Sequence, residues 1–159
     1  MIQKHTVMKA ETAISPENHH KIIREHLKPG ERISIKACGG SMRPFILDRD
    51  MVTIAACSPK DLRRGEIGVY LAGDGRLTMH RLLKIEASRY VFRGDATTGA
   101  PEWVSGSEVL GRVESVQRDG KLVYRNTALS RWIGILWHKS GALRAFIAKV
   151  RRPPPPTEQ

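Results

Sequence analysis

The 159-residue chain contains few cysteines, few aromatic residues and no long hydrophobic run. Its two cysteines, Cys38 and Cys57, form no Cys-x-x-Cys pair and are too few for a disulfide scaffold, so we expect two buried, reduced thiols. No segment approaches the roughly 18 apolar residues of a membrane span. The first 27 residues lack the continuous apolar core of a signal peptide. We therefore expect a protein that is cytoplasmic or peripheral at a membrane.

Acidic residues are scarce beside basic ones, with 16 Asp and Glu against 27 Lys and Arg, which gives a net charge of +11. This excess predicts attraction to an anionic partner, either a membrane surface or nucleic acid. Because no nucleic-acid-binding motif is recognisable, no specific nucleic acid is expected. No cluster of metal-ligating residues is apparent in the sequence, and we predict no metal and no cofactor.

Strand patterns dominate the middle of the chain. Residues 1–30 are predicted to form a tail and a short helix, with Ser15 as N-cap and Gly30 just past its end. Asp119-Gly120 is the strongest hairpin signal in the chain. The domain at 31–127 is therefore predicted to be mainly β, with about seven strands in a coiled or barrel-like sheet. The predicted strands cover 32–38, 50–57, 66–72, 76–86, 89–94 and, as a hairpin, 108–125.

The segment at 128–152 is basic and amphipathic. If it is helical, one face carries Trp132, Ile135 and Leu136 together with four apolar residues further along, and Lys139 interrupts that face. Such a segment is typical of a helix in a membrane interface, here at an anionic surface contacted by residues 130–152. It is equally typical of a helix docked on the domain's own core. Residues 153–159 form a proline-rich tail that we expect to be disordered.

The most informative short stretch is Ala-Cys-Gly-Gly-Ser-Met-Arg-Pro at 37–44, which follows a predicted strand. Gly39 and Gly40 allow backbone angles that a Cβ forbids, and Pro44 fixes its own φ. The stretch can therefore hold Ser41 at a defined turn with neighbouring N–H groups exposed. That arrangement suits a nucleophile, and it also suits an ordinary tight turn. Cys38 is close enough to line the same site.

A serine nucleophile needs a base. Of the six histidines, only His80 lies inside a predicted strand of the β core. Asp95 follows the strand expected to pair beside it and is the candidate for the third group of a triad. Each also has an ordinary interpretation, His80 as a structural histidine and Asp95 as a turn residue.

Together these segments resemble the S24/S26 serine peptidase superfamily and, within it, the signal peptidases. Six motifs occur in the family's order: GGSMRP (39–44), DRDMVTI (48–54), LRRGEIGVY (62–70), MHRLLKI (79–85), FRGDA (92–96) and VLGRV (109–113). The resemblance covers about residues 32–118. Because histidine followed by arginine, His80-Arg81, stands in the base motif, the chain is similar to the branch that uses a Ser–His pair rather than Ser–Lys.

This resemblance implies a serine endopeptidase that cleaves an extended leader or signal peptide after small residues. Ser41 would be the nucleophile and His80 the general base, while Asp95 would orient or charge-balance His80. Met42 would pack under the substrate chain. Substrate binding is expected at Gly40, Met42 and Pro44.

Several features depart from the family pattern, among them Arg49 in place of a glycine and Glu66 in place of an aspartate. Gly39 stands where many members carry Ser or Thr, and no membrane-spanning helix accompanies the domain. After the Gly-Asp motif the nearest further acid is Glu102, which either replaces the family's second acid or leaves Asp95 to act alone; we favour Asp95. A non-catalytic peptide-binding module on the same fold is one alternative. A repressor-like, self-cleaving regulatory domain is another, although no helix-turn-helix precedes the domain. The need for a partner protein and the oligomeric state stay open.

Overall fold

The computed structural model describes residues 27–28 and 30–140 and contains eight β-strands and one α-helix in that part of the chain. The predicted N-terminal helix and the proline-rich tail lie outside the described residues. The elements are β1 Arg32–Lys36, β2 Met51–Ala56, β3 Ile67–Leu71, β4 Leu77–Glu86, β5 Arg89–Arg93, β6 Glu102–Ser105, β7 Val109–Arg118, β8 Lys121–Arg125 and α1 Ala128–Lys139.

The strands form one antiparallel sheet in the order β1-β2-β7-β3-β4-β5-β6, and β8 pairs with β7 beside this path. The prediction of a mainly β domain is confirmed. In the part of the chain described, the sheet is open rather than closed into a barrel, because β1 and β6 form its two ends. The four-residue β6 was not among the predicted strands.

Turn chemistry sets the register of the hairpins. Asp119 and Gly120 both adopt positive φ, at 50° and 75°, as a two-residue hairpin of type I′ requires, so this sequence signal is confirmed. Between β3 and β4 the Gly-Asp-Gly turn at 73–75 places Tyr70 opposite Thr78 and Gly68 opposite His80. The register of the β3–β4 pair therefore places Gly68 and Tyr70 next to His80.

The core consists of two clusters of buried side chains. The larger lies under β1, β2, β3 and β7 and includes Met42 and Ile46 from the turn after Ser41. The smaller is rich in aromatic residues and contains Tyr70 and Phe92. Successive side chains of a strand point to opposite faces, so β3 contributes Val69 to one cluster and Tyr70 to the other.

Helix α1 packs one face on the domain and exposes the other. Thr127 caps its N-terminus, since its hydroxyl oxygen accepts the Ser130 N–H at 3.2 Å. Gly134, Ile135 and Trp137 are buried. The helix at 128–139 is thus docked on the domain, but the predicted apolar face is wrong, because Ile135 is buried while Trp132 and Leu136 are 68% and 60% exposed. Residues 141–152 lie outside the described region. Nowhere in 27–28 and 30–140 is a helix long and apolar enough to cross a bilayer.

Candidate active site

Ser41 and His80 line the same cleft, which has a volume of about 520 Å³. Cys38 and Glu102 also line it. The sheet and the turn thus bring together the two residues that the sequence predicted as nucleophile and base. The complete lining consists of Ala37, Cys38, Gly39, Ser41, Met42, Ile46, Ala72, Gly73, Asp74, Arg76, Leu77, Thr78, Met79, His80 and Glu102.

The turn that carries Ser41 is anchored by Met42 and Ile46, which are only 4% and 3% exposed. Gly39 has φ +92°, in the left-handed region that favours glycine. Its N–H donates to Asp48 Oδ1 at 2.9 Å, so this amide is already occupied. The Ser41 amide has no hydrogen-bond partner within the described residues, which leaves it free to bind an oxyanion.

Gly94 places the serine turn against the histidine. The Ala96 N–H donates to the Ser41 carbonyl oxygen at 2.8 Å, which ties the turn to the chain after β5. A β-carbon on Gly94 would lie 2.7 Å from that same oxygen and 3.1 Å from His80 Nε2. The Ser41 backbone and His80 Nε2 therefore border one small space, and only glycine fits between them.

His80 is positioned by the strand opposite it. Gly68, its partner across the β3–β4 pair, has no side chain, and a Cβ there would lie 2.5 Å from the Phe92 ring. Phe92 fills this space and stacks on Tyr70 with ring centroids 4.5 Å apart. The Tyr70 hydroxyl, diagonal to His80 on the same face, consequently reaches the imidazole.

The proton positions on His80 follow from its partners. Nδ1 lies 3.0 Å from Glu102 Oε1 and 3.0 Å from the Tyr70 hydroxyl, and that hydroxyl donates its single proton to Glu102 Oε2 at 2.9 Å. Were Nδ1 unprotonated, it would face two lone-pair-bearing oxygens without a proton between them. The arrangement therefore assigns the proton to Nδ1 and leaves Nε2, which borders the space beside Gly94, with a free lone pair.

Burial lowers the pKa of His80 below its ordinary value of 6.5, while the negative charge of Glu102 acts in the opposite direction. The imidazole is accordingly neutral near pH 7, as a general base must be. Burial and the bond to Glu102 raise the pKa of Tyr70 well above its ordinary value, so its hydroxyl stays protonated.

Asp95 lies elsewhere than its predicted orienting role requires. Its fully buried carboxylate accepts from Arg81 Nε at 2.8 Å and from Arg81 Nη2 at 2.6 Å, and His138 Nε2 is 2.8 Å from Oδ1. Consecutive residues of β4 point to opposite faces, and Asp95 is on the face of Arg81 rather than that of His80. Its negative charge still raises the pKa of His80 through space, so the contact with Nδ1 belongs to Glu102 and Asp95 contributes charge alone.

Of the three predicted substrate-binding residues, only Met42 lines the cleft. Gly40 is covered by the Arg43 side chain, whose Nε would be 3.0 Å from a β-carbon at that position. Pro44, which follows a cis peptide bond, lies outside the lining. The turn thus presents Ser41 and Met42 to the cleft, whereas Gly40 and Pro44 lie outside its lining.

The thiols also differ from the expectation. The prediction that both are buried is wrong for Cys38, which is exposed in the cleft wall. Cys57 is partly buried, and burial raises the pKa of its thiol to about 11. The environment of Cys57 is therefore not the electropositive one that activates a catalytic cysteine.

The sequence alone does not reveal the roles of two site residues, Tyr70 and Glu102. Tyr70 was placed in an apolar strand without a role, although the Gly-Asp-Gly turn fixes its register beside His80. Glu102 was recognised as the nearest acid, but the strand that delivers it was not predicted. In β6 it pairs with Phe92, which brings its carboxylate to the mouth of the cleft.

One edge of β4 is open beside His80. The Leu82 N–H donates to the Glu66 carbonyl oxygen, on the β3 side of β4. Alternate residues of a strand direct their N–H and C=O groups to opposite sides. The backbone groups of Leu77 and Met79, at odd-numbered positions, therefore point away from β3. On that side β5 begins its pairing only at Arg81. Within the described chain, no strand occupies this edge, and the cleft runs between it and Ala37–Gly39.

Among the described residues, no group of three His, Cys, Asp or Glu side chains could hold a metal ion. No protein-family model matches this chain, and no curated protein shows significant similarity to it.

Proposed function

We propose that this chain is a serine endopeptidase of the signal-peptidase type that cleaves an extended leader or signal peptide after small residues. One observation carries the proposal: His80 Nε2 and the Ser41 backbone border the same space beside Gly94, in an open cleft, while Glu102 holds Nδ1. The order of the six motifs, two of which contain Ser41 and His80, also supports it.

In the first step the Ser41 hydroxyl oxygen attacks the carbonyl carbon of the scissile bond, and His80 Nε2 accepts the hydroxyl proton. The Ser41 N–H donates to the resulting oxyanion, an interaction worth on the order of 3 kcal/mol. The Gly39 amide takes no part, because it is bonded to Asp48. Glu102 stabilises the imidazolium through Nδ1–H.

The imidazolium then gives its Nε2 proton to the leaving amine as the C–N bond breaks, which leaves an ester on Ser41. A water molecule attacks this ester, His80 takes the water's proton, and the proton passes to Ser41 as the ester bond breaks and the carboxylic product leaves. Each step requires Nε2 to act alternately as base and acid, which its exposure to the cleft permits.

The substrate would bind as an added strand. The open edge of β4 at Leu77 and Met79 offers unpaired backbone groups, and a peptide between this edge and Ala37–Gly39 can hydrogen-bond to them. The cleft lining near Ser41 is apolar and includes Met42 and Ile46. Small side chains beside the cut are what the motif resemblance implies, and Met42 and Ile46 would supply apolar contacts for them.

The test uses two readouts on purified protein: labelling by a fluorophosphonate probe and cleavage of peptides carrying Ala-x-Ala sites, followed by mass spectrometry. We expect labelling on Ser41 and cleavage after the second alanine. Both should disappear in Ser41→Ala and His80→Ala. The matched control is Ser107→Ala, which removes an exposed serine outside the cleft and should retain both.

A non-catalytic peptide-binding module is the second candidate. It is favoured by one observation: the polar contacts of the His80 ring are at Nδ1, and within the described residues the Ser41 hydroxyl makes no hydrogen bond to Nε2, the contact through which a base activates a serine. If broad peptide pools are not cut and Ser41→Ala binds peptide as tightly as the wild type, the binding module replaces the peptidase.

A further inference from the structure

Helix α1 carries an apolar stripe that the domain does not use. Leu129, Trp132, Ile133 and Leu136 are 69%, 68%, 46% and 60% exposed. Their spacing places them on one side of the helix. We call these four residues the outer face of α1. The opposite side already holds the helix to the domain through buried Gly134, Ile135 and Trp137, so the outer face has no role in docking.

The positive charge of the chain is concentrated in the same region. Between Lys121 and Arg152 the sequence contains eight Lys and Arg residues and no Asp or Glu, so this segment supplies eight of the eleven net positive charges. Exposed apolar side chains on a segment of the chain with a strong net positive charge are what an anionic bilayer surface attracts, even though Arg131 itself lies 3.6 Å from Glu66. Tryptophan, here Trp132, is favoured at that interface because its ring is both apolar and polar.

From this coincidence of charge and apolar surface we infer that the outer face of α1 docks on anionic lipid membranes. Nucleic acid would satisfy the charge and leave the four apolar side chains in water. Covering the face with residues 141–152 would bring four further cations, Arg144, Lys149, Arg151 and Arg152, beside a segment that has no acid to balance them. Anionic lipid compensates the charge and buries the stripe at once.

The inference goes beyond the proposed peptidase activity and does not depend on it. Docking through the outer face leaves the inner face in place, since Trp137 Nε1 donates to the Asp95 carbonyl oxygen at 2.7 Å on the opposite side. The membrane would thus carry the intact domain, with the cleft formed as described.

The experiment measures co-sedimentation of the full chain with vesicles of phosphatidylcholine alone and with about 30% phosphatidylglycerol, a composition chosen to provide negative surface charge. We expect binding to the anionic vesicles only, weakened by added salt. The double variant Trp132→Ser, Leu136→Ser should bind at least about tenfold more weakly, because it removes two of the four apolar side chains of the stripe, including its tryptophan. Trp103→Ser, which removes a 51%-exposed tryptophan on β6, is the matched control and should bind within about twofold of wild type.

A thermal melt of each variant shows whether the fold is retained, as expected for substitutions at exposed positions. Absence of wild-type binding to anionic vesicles overturns the inference. So does equal binding by the folded double variant, which would leave the basic residues alone responsible. A dimer in analytical ultracentrifugation that the double variant abolishes would assign the face to a second copy instead. No substrate is present, so failure here and failure of the cleavage assay are distinguishable.

Discussion

Asp95→Asn and Glu102→Gln should affect different properties of the protein, although each replaces a carboxylate near the candidate site by its amide. Asp95 is fully buried against Arg81, which is fully buried too, through two hydrogen bonds. The Glu102 side chain is 42% exposed and contacts His80 Nδ1. We therefore expect Asp95→Asn to reduce stability and Glu102→Gln to reduce catalysis.

The magnitudes follow from burial. Removing one member of a buried ion pair leaves an uncompensated charge and costs roughly 3–5 kcal/mol, a large part of a typical unfolding free energy of about 5–15 kcal/mol. Glu102→Gln should change stability by less than about 1 kcal/mol, because water reaches its carboxylate. It should lower kcat/KM by roughly 10- to 100-fold, since a glutamine keeps only one of the two oxygens that face Nδ1 and Tyr70 and lacks the negative charge that stabilises the imidazolium.

Urea denaturation and steady-state cleavage of the best Ala-x-Ala peptide measure the two quantities separately. The unfolding experiment needs no activity, so it tests the placement of Asp95 even if no substrate is found. A stable Asp95→Asn protein that has lost activity, beside a fully active Glu102→Gln protein, would refute the reasoning and restore Asp95 as the residue that orients His80.

Because burial lowers the pKa of His80, the acid limb in the pH profile of kcat/KM should have its midpoint below pH 6.5. Glu102→Gln should move this midpoint to still lower pH, because it removes a negative charge that raises the pKa. A pH–rate profile of each protein measures the midpoint. Just below pH 6.5 the unfolded chain binds a proton at His80 that the folded chain does not bind. The stability that His80 contributes is therefore complete above pH 6.5 and is lost as the pH falls toward the pKa of the folded state. Urea titrations of the wild type and of His80→Gln at several pH values should show this loss in the wild type alone. Gly134→Ala should weaken helix docking and lower Tm, because its Cβ would lie 2.2 Å from Arg81 Nη1, whereas Gly99→Ala meets nothing within 4 Å and should leave Tm nearly unchanged in the same melt.

Local signals were sufficient for most of the fold. Alternating apolar residues predicted the long strands, and Asp119-Gly120 predicted the β7–β8 hairpin, because both depend on near neighbours in sequence. The four-residue β6 has too few alternations to produce a recognisable period, and only its pairing with β5 makes it a strand. The N-terminal helix lies outside the described residues and stays a prediction.

The order of the motifs was enough to predict the nucleophile and the base of the candidate site. It was not enough to predict which acid contacts the base, because tertiary contacts decide that. Ser41 and His80 came from the ordered motifs, and the structure places both in one cleft. The choice between Asp95 and Glu102 depends on which face of β4 each acid meets. That question could not be answered without knowing that β6 exists and that α1 packs His138 against Asp95.

The two faces of α1 are subject to different evolutionary constraints. At Gly134 any side chain collides with the Arg81 guanidinium, and at Trp137 and His138 a replacement loses a bond to Asp95. The side chains at the outward positions Leu129, Trp132, Ile133 and Leu136 are 46–69% exposed. Among natural variants of this chain, Gly-x-x-Trp-His should therefore persist wherever the Arg81–Asp95 pair persists. Such a pattern gives a means of recognising distant relatives that overall sequence similarity does not reveal.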